Sequence, residues 1–344
     1  MKLKSLLWLS LLISSLLNLA QAAPLQVVAS NPDLGSLVQA VGGDKISLTV
    51  LAKGTEDSHY IEAKPSFIKA LNQADLYVQI GLEMEVGYAP LLLNNAQNPK
   101  ILPNEAGHLD ISGYIKPRAV PTEVIDRSMG DVHPFGNPHY LLDPLNGLSA
   151  AAAIRDRLSS LRPSEAEYFN QHYQQFAKKM ATGLLGEKLA AIYQPEDLPK
   201  LALLFERGTL AEFLKNQGQE NLLAGWFGIM LPFYGTLAVD DHDLWIYFTA
   251  RFGIKVIEHL EPKPGIAPTT KHLGEVVEKM RAEKVKLILT TPYYDPSHAR
   301  FVAEQTGAKI AKMAHQVESL STVTDYFKLV DHNVQKVVAI LSVR

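Results

Sequence analysis

Residues 25–51 read Leu-Gln-Val-Val-Ala-Ser-Asn-Pro-Asp-Leu-Gly-Ser-Leu-Val-Gln-Ala-Val-Gly-Gly-Asp-Lys-Ile-Ser-Leu-Thr-Val-Leu. Leu25–Ala29 is a short apolar run of the kind that forms a buried strand. Asn31 is placed to cap a helix that starts at Pro32, where a missing N–H costs nothing, and Gly42-Gly43 stops it after Val41. Ile46–Leu51 then reads as a second strand. The alternation continues with a helix from Ser66 to Gln73, a strand from Leu76 to Ile80 and a helix from Val86 to Leu93. Strands alternating with helices of this length predict an α/β fold: a mostly parallel sheet with helices packed on its faces.

Beyond residue 147 the pattern changes and then returns. Leu148–Leu161 reads as a helix that Pro163 breaks, and Ser164 with Glu167 has the spacing of a capping box for the next one. Phe169, Tyr173, Phe176, Met180 and Leu184 recur every three or four residues, which marks one apolar helix face. Continued to Tyr193, that helix would be roughly 45 Å long, a strut between lobes, with Gly183 and Gly186 weakening its second half. Strands are expected again at Leu237–Val239, from Ile254, and at Lys286–Thr290 and Lys309–Lys312. Helices fall between them, and a closing one runs from Val323 to Leu341. The expected organisation is a signal peptide over 1–22, an N-terminal α/β lobe over 23–162, a long connecting helix over 163–195 and a C-terminal α/β lobe over 196–344.

The chain has 344 residues, 47% hydrophobic and 20% charged, enough for two ordinary cores. A net charge of −3 implies no basic surface for nucleic acid. There is no cysteine, so any metal site must use His, Asp or Glu. Lys2 and Lys4, the uncharged run Leu6–Leu19 and Ala20-Gln21-Ala22 have the form of a signal peptide cleaved before Ala23. A soluble, exported, periplasmic protein is the expectation, and a monomer.

In open α/β sheets, ligands gather beyond the carboxyl ends of the strands. His59, His242 and Asp295 each follow a predicted strand, and His139 lies in a Pro- and Gly-stiffened loop that also carries His133. Three imidazoles and a carboxylate suit tetrahedral Zn²⁺, and the excess of nitrogen favours zinc over manganese. Each residue also has an ordinary reading. His59 could be solvated and His242 a strand-end histidine, while Asp295 could cap the following helix, since Asp is a favoured cap. Asp57, with Glu56 and Glu62, reads as solvated charge. Seven further histidines, His108, His259 and His315 among them, read as surface or packing residues.

Five segments carry a resemblance: Asp57-Ser-His-Tyr-Ile-Glu-Ala-Lys-Pro-Ser66, Asn137-Pro-His-Tyr-Leu-Leu-Asp-Pro144, His242-Asp243 with Tyr247-Phe248, Glu261-Pro-Lys-Pro-Gly265, and Tyr293-Tyr-Asp-Pro296. In this order they resemble the metal-binding substrate-binding proteins of bacterial ABC transporters, the zinc and manganese cluster, over nearly the whole mature chain. The resemblance implies two lobes joined by one long helix, and metal held by His59, His139, His242 and Asp295 in the cleft. It implies an inner-membrane ABC permease as partner and Zn²⁺ as the transported ligand, not an enzyme cofactor. Manganese members usually carry Glu at the third position, where this chain has His242. The His-rich loop of many zinc members has no counterpart over Asn94–Arg127, which holds only His108. The resemblance makes His133 extra to the ligand set, a neighbour of the site. The alternatives are a manganese or iron carrier on the same scaffold, an exported zinc-dependent hydrolase using Glu62 or Asp243 as base, and a surface adhesin. A hydrolase needs an open coordination position, and an adhesin lacks a cysteine for a lipid anchor.

Overall fold

The computed structural model describes residues 23–122, 133–263 and 265–342. The expected signal peptide, residues 1–22, lies outside them. Two four-stranded parallel sheets make up the strand content of the described residues. The first holds β1 (Leu25–Ala29), β2 (Ile46–Val50), β3 (Leu76–Gln79) and β4 (His108–Asp110), in the order β2-β1-β3-β4. The second holds β5 (Leu237–Asp240), β6 (Lys255–His259), β7 (Leu287–Thr290) and β8 (Lys309–Lys312), in the order β6-β5-β7-β8. Each sheet reverses direction of progress at its first strand, so the two share one topology. Helices cover the faces, as expected for an α/β fold.

The opening stretch folds as its residues dictate. Asn31 Oδ1 accepts the Leu34 N–H at 3.0 Å, and the helix Pro32–Gly42 packs Leu34, Leu37, Val38 and Val41 wholly inside. Other boundaries differ. The helix expected at Val86 begins only at Ala89, because Gly81, Leu82 and Glu83 all take left-handed backbone in a tight turn first. The Glu85 carboxylate accepts the N–H groups of Ile80 and Gly81 at 2.7 and 3.0 Å and pins that turn. The helix before the strut starts at Pro144, not Leu148, with Asp143 Oδ1 accepting the Leu145 N–H at 2.9 Å.

The strut itself is shorter than expected. Pro163–Glu165 forms a single 3-10 turn, and the α-helix proper spans Ala166–Leu185, about 30 Å. Gly186 ends it with φ of +79°, a conformation that favours glycine, and Glu187–Ala190 is a separate short helix. The capping box does not form: no side chain caps either turn, and Glu167 Oε1 instead accepts from Gln171 at 2.9 Å. The apolar face is as expected, with Phe169, Phe176, Met180 and Leu184 buried and Tyr173 partly so.

One hydrophobic core runs from the first sheet to the second. It includes Leu34, Ile154, Phe176, Met180, Phe227, Leu287 and Val330. Polar ties reinforce the junction. The Tyr326 hydroxyl, on the closing helix, donates to the Leu141 carbonyl. Arg251, on the helix Ile246–Phe252, makes a two-pronged ion pair with Asp143 at 2.9 and 2.8 Å, both residues being buried. Removing Asp143 leaves the buried Arg251 guanidinium with only Glu206 at 3.5 Å to balance its charge. Asp143→Ala is therefore expected to lower stability by about 3–5 kcal/mol. Urea unfolding of the metal-free protein checks this: the midpoint should fall without a change in slope.

Candidate metal centre

The two sheets turn the carboxyl ends of their strands toward a common gap, and the loops leaving those ends supply its lining. A hollow of about 40 Å³ lies there, lined among others by Asp57, His59, His133, His139, His242 and Tyr294. A hollow this small admits an ion with a water or two, whereas drug-sized ligands occupy about 300–1,000 Å³.

His59 sits on the loop after β2. Asp57, two residues earlier, accepts the His59 N–H with Oδ1 at 3.0 Å and meets its ring Nδ1 at 2.8 Å. Burial alone would raise the Asp57 carboxyl, but the hydrogen bond and charge of the His59 ring outweigh it and hold the group below its ordinary range. A ring nitrogen held by a carboxylate fixes the ring's direction and leaves Nε2 as the atom turned toward His133. That Nε2 lies 3.0 Å from His133 Nε2, and the two rings stack at 5.0 Å.

His139 follows a turn that Asn137 ties at both ends. Asn137 Oδ1 accepts the His139 N–H at 2.9 Å, and Asn137 Nδ2 donates to the Asp243 carbonyl across the gap at 2.9 Å. The His139 ring lies 5.2 Å from that of His59 and 6.4 Å from that of His242. Burial, then the neighbouring histidines, push its pKa well below the ordinary value, so it stays neutral and able to donate a lone pair.

His242 follows β5 and is buried. Its ring Nδ1 has no hydrogen-bond partner among the described residues, and Asp241 Oδ1 lies 3.8 Å from it. Such an orphaned polar atom calls for an explanation, and a missing ion is one. Burial lowers the His242 pKa, against the pull of Asp241 and Asp243. Asp241 anchors this corner. Its carboxylate accepts the N–H of His242, the indole of Trp245, and both N–H and hydroxyl of Thr291.

Asp295 is not with the histidines. It is exposed, its Oδ1 accepts the Ser297 N–H at 2.9 Å, and that hydrogen bond holds its carboxyl below the ordinary range. It lines a separate hollow of about 410 Å³ behind Tyr294. Asp295 thus stands just before the helix Ser297–Thr306, whose cap residue is Pro296 with no side-chain cap, and His133 lies beside His59. Sequence reasoning also passed over Asp57 as solvated charge, and the signal was present: an Asp two residues before a histidine can fold back onto both its N–H and its ring. Tyr293 and Tyr294 form part of the cleft wall. Among the described residues no three His, Asp or Glu side chains already stand around one point at metal-holding distances. The His59 ring stacks on His133 and meets His139 edge-on, and His139 meets His242 edge-on.

Two parallel-sheet lobes around a small histidine-lined gap define a two-lobed binding protein for a very small ligand. The chain belongs to the family described as zinc-uptake complex component A, periplasmic, whose model matches residues 27–192 and 231–340. It is 22% identical over 315 residues to the high-affinity zinc uptake system protein ZnuA of Yersinia pestis, covering 87% of this chain and 85% of that one. It is 20% identical over 316 residues to the manganese ABC transporter substrate-binding lipoprotein PsaA of Streptococcus pneumoniae, covering 91% and 88%. A crystal structure of ZnuA shares the fold with a TM-score of 0.65 at 18% identity, covering 93% of this chain and all of that one.

Beside the gap, His315 is buried against Tyr293, its rings 4.6 Å apart, and burial lowers its pKa to about 4. In the unfolded chain it titrates near 6.5. The unfolded state thus takes up a proton first as pH falls, and the stabilisation His315 confers is full above about 6.5 and lost toward about 4. Asp33 and Glu85, buried and raised to about 7, work in the opposite sense, so the comparison must be with a variant. Between pH 7 and 4 the metal-free parent should lose up to about 3 kcal/mol relative to His315→Gln. Parallel urea titrations at several pH values measure it.

Proposed function

We propose that this protein captures a divalent metal ion, zinc, between its lobes in the periplasm and delivers it to an inner-membrane ABC-type permease. One observation carries the reading: four imidazoles from two lobes line a hollow of about 40 Å³, room for an ion with a water or two. The family supports metal capture, while its relatives' names include both zinc and manganese. Zinc rests on the donors, since an imidazole-rich set suits Zn²⁺ and manganese prefers oxygen. The 3.0 Å between His59 and His133 Nε2 is close to the ~3.3 Å that separates two nitrogens on tetrahedral zinc. His59, His139 and His242 are the proposed common ligands. The fourth is either His133, which already lies at the hollow, or Asp295, which would have to leave Ser297 first. The residue pattern of the first 22 residues supports export, and the absence of cysteine sets this chain apart from relatives named lipoproteins. A carrier fits the small hollow better than a hydrolase, which needs room for substrate beside the metal.

Elemental analysis of protein purified from the periplasm without added metal, followed by titration against a competing chelator, tests the reading. One zinc per chain is expected, and predominantly manganese or iron would overturn the metal assignment. His59→Ala, His139→Ala and His242→Ala should each weaken zinc binding by orders of magnitude. His133→Ala compared with Asp295→Ala identifies the fourth ligand: the variant with the larger loss removes a metal bond.

A further inference from the structure

The loop that carries His59 is held from the opposite lobe. Gln316, in the segment that follows β8, is 3% exposed. Its Nε2 donates to the carbonyls of Lys53, Gly54 and Glu56 at 3.2, 3.1 and 2.8 Å, and its Oε1 accepts the Ser58 hydroxyl at 2.8 Å. Its neighbours act with it. The Val317 N–H donates to Asp33 Oδ1 at 2.6 Å, and His315 Nε2 lies 3.4 Å from the Glu56 carbonyl. The backbones also touch. A Cβ on Gly54 would sit 2.3 Å from the Glu318 carbonyl carbon and 2.5 Å from the Val317 oxygen, so glycine is what permits the approach. Thus four points on one loop, the last one residue before His59, are held by one side chain of the second sheet's lobe, its two amide hydrogens shared among three carbonyls.

We propose that Gln316 is a positioning residue for the metal centre, a clamp through which contact between the lobes sets the place of His59. This rests on the metal-carrier reading. Its physical basis is that the buried Gly54 carbonyl and Ser58 hydroxyl lose Gln316 together if the lobes part, along with the part-buried bonds to the Lys53 and Glu56 carbonyls, and buried polar groups left unpaired are costly. With the clamp made, residues 53–58 have one conformation and Asp57 can aim the His59 ring. With it broken, the loop gains freedom and His59 leaves its direction. Separating the lobes and weakening the metal site then become one event, which gives a docking partner a way to release the ion without touching it.

The test uses the full chain with zinc as probe. Gln316→Leu keeps the bulk and removes the hydrogen bonds. Asn98→Ala is the control for lost stability alone: Asn98 is a buried residue of the first lobe whose Nδ2 holds the Leu71 and Ala74 carbonyls, away from the histidines. Zinc affinity should fall about 10- to 100-fold in Gln316→Leu, the range for lost supports of metal ligands, and stay at the parent's value in Asn98→Ala. In a His59→Ala background the further loss from Gln316→Leu should shrink to less than about threefold, since the clamp acts through His59. A Gln316→Leu protein that binds zinc like the parent, or whose loss persists undiminished without His59, overturns the proposal. Amide hydrogen exchange of residues 53–60 in the metal-free protein judges the clamp separately from any metal. Faster exchange in Gln316→Leu but not in Asn98→Ala supports it, and unchanged exchange overturns it. If the parent itself bound no zinc, the carrier reading would fail while the exchange result still stood.

Discussion

Parallel strands end on the same side, and that constraint decides where everything else in this molecule can go. With β1, β2 and β3 pointing one way, the loop bearing His59 must leave the first sheet at its carboxyl edge. With β5 and β7 likewise parallel, His242 and the Tyr293–Asp295 loop must leave the second sheet at its own carboxyl edge. A gap lined by imidazoles then follows if the two edges face each other. The polar ties are arranged to keep them facing. Asp143 meets Arg251, Asn137 meets Asp243, and Gln316 meets the 53–58 loop, so each stretch next to a site histidine is braced from across the gap.

The carboxylates around the histidines divide the labour by environment. Asp57 stays ionised because a ring N–H is directed at it. Asp241 spends both oxygens on four donors and so fixes backbone, indole and hydroxyl together. Asp33 and Glu85, buried and pushed up to about 7, hold backbone turns under the sheet. None of these groups lies at the centre of the gap. Their role is to leave neutral imidazole as the chemistry that faces it, which suits a borderline metal ion better than a hard one.

Much of this was legible from residue pattern alone, and the failures have identifiable causes. The alternation of strands and helices is written in periodicity, so both sheets could be anticipated, as could His59, His139 and His242 as residues of one gap. Strand β4 was missed because His108-Leu109-Asp110 is too short to show a period. The late start at Ala89 depends on left-handed backbone at Leu82 and Glu83, residues with no preference for it, which only the grip of Glu85 on the turn explains. The overlong strut came from extending an apolar stripe past Gly186, where positive φ stops the helix. Asp295 shows how one residue type answers two demands: a carboxylate before Pro296 suits both a helix start and a metal, and spacing does not distinguish them.

The shared core has a consequence for how the chain folds. Lobes that look separable by their sheets share one apolar layer through Ile154, Phe176, Phe227 and Val330, beside a smaller core within each, and the last helix packs its Tyr326 against residues near position 141. Neither half can bury its own inner face alone. The N-terminal half can close its own smaller core, but the shared layer is complete only when segments nearly two hundred residues later are in place.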